Sequence, residues 1–264
     1  MPVSMPALAD DVAAESADLR GMLAPLSEPD WKRDTPAVGW TIADQVSHLA
    51  YFDAVAVRSA TDPDGFRADL ERIEDEGGVD PDAIAASYRD LPGTALLTWF
   101  DGARDRLVET FRELDPTQRV PWFGPAMSAA SSLTARIMET WAHGQDVADT
   151  LGVTRAPTGR LRHVAHIGVG ARAFSFTAHG RPVPEAPIRV ELAAPDGGTW
   201  TWGADDADDR VTGPALDFCL AVTRRRHRDD VDLTVTGPAA TAWMEVAQAF
   251  AGRPGTGRRP GQFA

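Results

Sequence analysis

Over roughly the first 180 positions, apolar residues recur every three or four residues in stretches punctuated by Pro, Gly and Asp, a pattern that predicts helix after helix. The first spans Pro6 to about Leu26, and a Pro- and Trp-containing connection follows from Pro29 to Gly39. The second runs from Thr41, a natural N-cap with Asp44 in the first turn, to about Ser59, where Asp62-Pro-Asp-Gly65 signals a turn. A charged segment of helical character extends through Glu76 until Gly77-Gly78 breaks it. A long pattern from Pro81 to about Leu114 is interrupted at Leu91-Pro92-Gly93. Ser131 or Ser132 opens the next helix, which reaches Leu151 with Gly152 as its C-terminal stop, and Thr158 starts another through about Thr177. Four long helices with intervening loops imply an antiparallel bundle with extra segments packed on it.

The period changes after His179. Pro182, Pro184 and Pro187 stiffen a connector, and Ile188-Arg-Val-Glu-Leu192 then alternates as a half-buried strand does. Asp196-Gly-Gly198 is a hairpin signal, and Thr199-Trp-Thr-Trp202 returns with both tryptophans on one face. Val211-Thr-Gly213 and Val231 to Val235 read as further strands, with helices from Pro214 to about Thr223 and from Pro238 to about Phe250. The expected fold class is therefore α+β with two domains: a helical bundle over 1–182, a smaller α+β domain over 183–251, and a Gly/Arg/Pro-rich flexible tail over 252–264.

Composition narrows the function classes. A formal charge of −13 and a pI near 4.8 set the molecule against polyanions, so neither nucleic acid nor an anionic membrane is an expected partner, and small molecules are. The basic run Arg224-Arg-Arg-His-Arg228 is offset by Asp229 and Asp230 and reads as a solvated helix end with one arginine turned inward. No stretch approaches the run of about 18 apolar residues that a membrane span needs. The acidic start MPVSMPALADDVAAESADL carries no basic-then-apolar signal. A single cysteine, Cys219, excludes an internal disulfide, and the cytoplasm is the expected compartment. A homodimer is left open.

The chemistry concentrates in Arg136-Ile-Met-Glu139-Thr-Trp-Ala-His143-Gly-Gln-Asp146. Glu139, His143 and Asp146, four and three residues apart, share one helix face, and an acid and an imidazole at i and i+4 reach a single divalent metal. His48, beside the apolar edge of Leu49, Phe52 and Val55, is the candidate third ligand, giving two imidazoles and one carboxylate if the two helices face each other. The same stripe is also what a solvated helix face carries, with Ile137, Met138, Trp141, Val147 and Leu151 on the buried side. Asp44 and Asp53 read as surface carboxylates or as acceptors behind a ligand. His163 and His166 lack a matching carboxylate, and Trp40 and Trp141 read as core.

Gly39-Trp-Thr-Ile-Ala-Asp-Gln-Val-Ser-His48-Leu and Met138-Glu139-Thr-Trp-Ala-His143-Gly-Gln-Asp146-Val resemble the metal-binding domain of mycothiol-dependent maleylpyruvate isomerases, within the DinB-like bundle superfamily. The second segment looks closer to an actinobacterial subgroup without a settled reaction. The downstream α+β segment resembles the sterol-carrier-protein-like domain of the same architecture. The resemblance implies zinc, with other divalent metals as alternatives, held by His48, Glu139 and His143, and a low-molecular-weight thiol as cosubstrate. It implies an arginine from the C-terminal domain at the substrate, to which Arg224 or Arg225 corresponds. On this reading the thiol adds to a small electrophile, as in an isomerase or an S-transferase, Arg136 or Arg224 neutralises a carboxylate or developing enolate, and Asp146 supports a ligand or shuttles a proton. Two alternatives stand beside it: a hydrolase using zinc-activated water, and a binding module for an apolar ligand with the metal structural or absent.

Overall fold

The computed structural model describes residues 4–75, 77–252 and 254–263, and the chain falls into two compact units, one ending at Thr154 and the other beginning at Arg155. In the first unit the long helices are α1 (Met5–Leu23), α3 (Ile42–Thr61), α6 (Gly93–Arg112) and α7 (Ala129–Leu151). Between them lie the short α2 (Glu28–Trp31), α4 (Pro63–Asp75) and α5 (Pro81–Ala86), and a two-stranded hairpin of β1 (Arg119–Val120) and β2 (Met127–Ser128). Helix α1 packs on α6 and α7, and α3 packs on the same two, which makes a four-helix bundle.

The bundle core is two apolar clusters with a charged layer between them. One contains Leu8, Val12, Ala56, Leu107, Phe111, Leu133 and Ile137, and the other Leu19, Ile42, Val46, Leu49, Phe100, Ala103 and Val147. Along each helix the sequence passes from one cluster to the other through a buried polar residue: Glu15 on α1, Asp53 on α3, Arg104 on α6, and Arg136 and Thr140 on α7.

Local chemistry places the helix ends. Thr41 and Asp44 form a reciprocal capping box at the start of α3, and Arg89 donates Nε and Nη2 to the same Asp44 carboxylate. Asp44 is thus fully buried rather than a surface acid. The start of α7 differs from the expected Ser131 or Ser132. The hairpin delivers Ser128 as N-cap, its Oγ accepting from the Ser131 backbone N–H at 3.0 Å, because β2 runs directly into the helix. Gly152, with φ of 69°, closes α7 as its sequence position foretold. Pro92 separates α5 from α6, and the Gly93 backbone N–H donates to the Glu28 carboxylate at 3.1 Å.

The second unit carries α8 (Leu161–Gly170) and α9 (Arg172–Ala178), two helices where one was expected. Then come β3 (Ile188–Ala193), β4 (Thr199–Trp202), β5 (Asp209–Pro214), α10 (Ala215–Val222), a single 3-10 turn (Arg228–Asp230), β6 (Thr234–Thr236) and α11 (Pro238–Val246). The sheet order is β4-β3-β5-β6, with β3 and β5 parallel and the outer pairs antiparallel. The turn at Asp196-Gly-Gly198 joins β3 to β4 as read from the sequence, with Val190 opposite Trp202 and Leu192 opposite Trp200. The division between units falls at residue 155 rather than near 183, because α8 and α9 belong to the sheet-bearing unit. Gly168 on α8 abuts Val222 and Phe218 of α10, and the Ser175 hydroxyl on α9 donates to the Gln248 carbonyl. The segment expected as a flexible tail makes defined contacts: the Gly261 backbone N–H donates to Asp230, and the Phe263 ring stacks under the Arg226 guanidinium. Among the described residues no helix is long and apolar enough to cross a membrane.

Gly93 supplies a test of the α2–α6 junction. A β-carbon there would be driven into the indole of Trp31, which is only 4% exposed and has nowhere to move. Gly93→Ala should therefore destabilise the first unit by about 1–3 kcal/mol, read as a lower denaturation midpoint at unchanged slope.

Candidate metal centre

His48 lies in the second turn of α3, and Glu139 and His143 occupy successive turns of α7, so the packing of these two helices brings the three together. His143 Nε2 lies 3.1 Å and His48 Nε2 3.6 Å from the same carboxylate oxygen, Glu139 Oε2. One potential ligand atom from each residue lies within 4.8 Å of the others. All three side chains are mostly buried, at 12% exposure for each histidine and 21% for Glu139.

The surroundings orient the imidazoles. His143 Nδ1 pairs with Gln45 Oε1 at 2.5 Å, and an amide oxygen can only accept, so Nδ1 carries a proton and Nε2 is the ring atom that faces Glu139 and His48. Gln45 is itself held, its Nε2 donating to Thr35 Oγ1 at 2.9 Å, while that hydroxyl donates to the Trp40 carbonyl at 2.8 Å. Trp40 stacks on His143 with centroids 5.7 Å apart and meets His48 edge-on at 5.2 Å, and Phe52 lies 4.7 Å from His48. His48 Nδ1 is buried without a hydrogen-bond partner.

Burial, reinforced by the neighbouring His143, pushes His48 down to about 4, so its imidazole is neutral at pH 7 and its lone pair is available. Burial alone would raise Glu139, but hydrogen bonds from His143 and His48 outweigh it and hold the carboxyl well below its ordinary range. Two imidazoles converging on one carboxylate, in a mostly dry pocket, are a donor set that fits a borderline divalent ion such as Zn²⁺.

Of the other residues singled out from the sequence, Arg136 lies one turn from Glu139, but its guanidinium is bound. Nε donates to Asp53 at 2.8 Å and Nη2 to the Leu49 carbonyl at 3.3 Å. Arg104 Nη2 holds the second Asp53 oxygen at 2.9 Å and donates to Thr140, so Asp53, read as a surface or supporting acid, is the fully buried centre of an Arg–Asp–Arg layer. Asp146 is fully buried on α7 and lies outside the three-residue cluster. Arg224 lies in the second unit, just past α10, half-buried in a left-handed conformation with φ of 60°. His163 and His166 are on α8, where Trp202 Nε1 donates to His166 at 3.4 Å. Trp141 is core as expected, whereas Trp40 is only half-buried and belongs to the site. Sequence reading missed Gln45 and Thr35. Gln45 sits three residues before His48 on α3, but its partner His143 lies on another helix, so no local spacing reveals the contact.

The fold and site define a four-helix-bundle protein with a candidate centre of two histidines and one glutamate. Residues 12–148 match the family model described as the mycothiol maleylpyruvate isomerase N-terminal domain, and the chain belongs to that family. Residues 184–236 match a second model, described as wyosine base formation. Two uncharacterized proteins of Mycobacterium tuberculosis, from strains H37Rv and CDC 1551, are each 45% identical over 248 residues, covering 94% of this chain and 96% of theirs. Crystal structures of the mycothiol-dependent maleylpyruvate isomerase and of a mutant of it share the fold with a TM-score of 0.58 at 16% identity, over 89% of this chain and 93% of theirs.

Two outcomes test this geometry. Gln45→Leu removes the acceptor that fixes the His143 tautomer and should weaken zinc binding by about 10–100-fold, measured by competition with a chromogenic chelator. In metal-free protein, His48 takes up protons more readily when unfolded, at its ordinary 6.5, than when folded, at about 4. Its stabilising contribution is therefore complete above about pH 6.5 and is lost as the pH falls toward about 4. Denaturation of metal-free protein across that window should show stability falling on acidification, with a shallower slope in His48→Phe.

Proposed function

We propose that the protein is a zinc-dependent enzyme that activates a low-molecular-weight thiol of the mycothiol type for addition to a small electrophilic substrate, as an isomerase or an S-transferase. The observation that carries this reading is the convergence of His48 Nε2 and His143 Nε2 on one oxygen of Glu139. Family membership and the fold shared with the maleylpyruvate isomerase support it. A divalent metal bound by these three residues supplies a Lewis acid that keeps a thiol ionised near neutral pH. The chain's own thiol does not compete for that role, because burial pushes Cys219 far up and leaves it protonated inside the second unit.

The remaining steps fall to side chains. Gln45 holds His143 in one tautomer, and Trp40 and Phe52 cover the imidazoles and keep water from them. Arg136 acts by tying α7 to α3 through Asp53 rather than by touching substrate. Asp146 is retained as the candidate proton shuttle. The second unit, which holds Arg224, carries a small α+β layer read as sterol-carrier-like. The protein would act in the cytoplasm, where such thiols stay reduced; a homodimer is compatible with this reading.

Elemental analysis and a thiol-consumption assay, run on wild type and on Glu139→Ala and His143→Ala, test the proposal. The expected result is about one zinc per chain and turnover that requires thiol in the wild type, with both lost in each variant. Wild-type turnover without thiol, or full zinc content in both variants, would sink it.

A further inference from the structure

The wall beside the metal centre is aromatic over a continuous path. His48 touches Phe52, Phe52 lies 5.9 Å from Phe123 and 6.3 Å from Trp122, and both of those rings reach Phe66 on α4 at 5.8 and 6.4 Å. Phe66 and Phe52 are core, at 3% and 7% exposure, but Trp122 and Phe123 remain partly open at the tip of the β1–β2 hairpin. That tip is tied down rather than loose. The Ser59 hydroxyl on α3 donates to the Pro121 carbonyl at 2.5 Å, and the Arg119 guanidinium donates to the Ala126 carbonyl across the loop. Two large apolar side chains held partly open next to a polar catalytic-type cluster are the usual lining of a small-molecule site.

The two arginines buried in the bundle are not available as receptors for an anion. Recognition of a small dicarboxylate calls for guanidinium or ammonium groups free to pair with it. Arg136, which bears electrostatically on His48, and Arg104 are both bound to Asp53, and their side chains are 5% and 4% exposed. The chain as a whole carries a net charge of −13.

We propose that this site takes an uncharged aromatic electrophile, an aryl-substituted α,β-unsaturated ketone being the simplest, with its ring seated against Phe52, Trp122 and Phe123. The reaction assigned to it rests on the thiol-activating reading above, and the seating of the ring does not. In that reaction the thiol sulfur bonds to the β-carbon, the alkene π pair moves onto the carbonyl oxygen as an enolate, and the proton released by the thiol ends on the α-carbon. The product is a thioether, and no oxidant or reductant is needed. Phe123 and Trp122 are then specificity-determining residues.

The test separates seating from reaction. Metal-free full-length protein is titrated with benzylacetone, a saturated and unreactive aryl ketone, and with maleate, following tryptophan fluorescence and isothermal heat. Benzylacetone should bind, maleate should neither bind nor compete, and Phe123→Ala should weaken benzylacetone by about tenfold with an unchanged circular dichroism spectrum and melting temperature. Phe123→Leu, which keeps apolar volume in the loop, should retain the fold and give an intermediate loss. Tighter binding of maleate than of benzylacetone, or unchanged benzylacetone binding in both Phe123 variants, would overturn the assignment. Zinc-loaded protein given thiol and benzylideneacetone then reads the reaction. Seating without thiol-dependent consumption would remove the thiol chemistry and still support the aromatic site.

Discussion

A carboxylate buried at zero exposure organises the first unit. Asp53 sits in the middle of α3, and Arg104 from α6 and Arg136 from α7 each hold one of its oxygens. Unpaired, any of these charges would be costly in so dry a place, so the three helices are bound to one mutual register in which each guanidinium meets the carboxylate. Apolar packing alone tolerates sliding and repacking far better than this layer does. The consequence reaches the candidate metal centre because the layers are adjacent along the same helices. His48 lies five positions before Asp53 on α3, and Glu139 and His143 follow Arg136 on α7 by three and seven. A register that pairs Arg136 with Asp53 also sets His48 opposite the Glu139–His143 stripe.

The next layer of control is hydrogen bonding that begins outside the helices. The loop before α3 contributes Thr35 and Trp40, the first steering Gln45 and the second lying on His143. The same loop is anchored by the Thr41–Asp44 capping box and by Arg89, which binds both Asp44 and the Gly39 carbonyl. Helix capping here does more than end a helix. It fixes the segment that holds the ring of His143 in the tautomer a metal ligand needs.

Much of this was legible in the sequence, and what was not has identifiable causes. Helical periodicity, Thr41 and Gly152 placed α3 and the end of α7, and the i, i+4 spacing of Glu139 and His143 singled out the face that meets His48. The start of α7 escaped because Ser128 is delivered by a two-residue strand too short to leave a periodic trace, while Ser131 and Ser132 offer equally good local caps. Asp53 was read as a solvated or supporting acid because both of its partners are distant in sequence, and a lone aspartate on a helix is ordinarily exposed. The unit boundary was misplaced for the same reason. The helical period of α8 and α9 is indistinguishable from that of the bundle, and only their packing on α10 and α11 assigns them to the sheet.

A bundle shared at 16% identity fixes where chemistry can sit and leaves open which molecules arrive there. In this chain the ligand-type residues occupy helix positions that the ionic layer constrains, whereas Phe123 stands at the tip of a hairpin whose Val120 belongs to the bundle core and whose Trp122 packs against it. The helices must satisfy a charge balance, and the hairpin must keep Val120 in the core, Ser128 as the α7 N-cap, and its tethers at Ser59 and within the loop. The aromatic wall beside His48 is therefore shared between the bundle, which supplies Phe52 from α3, and the hairpin, which supplies Trp122 and Phe123, while Asp53 sets the register that brings His48 opposite Glu139 and His143.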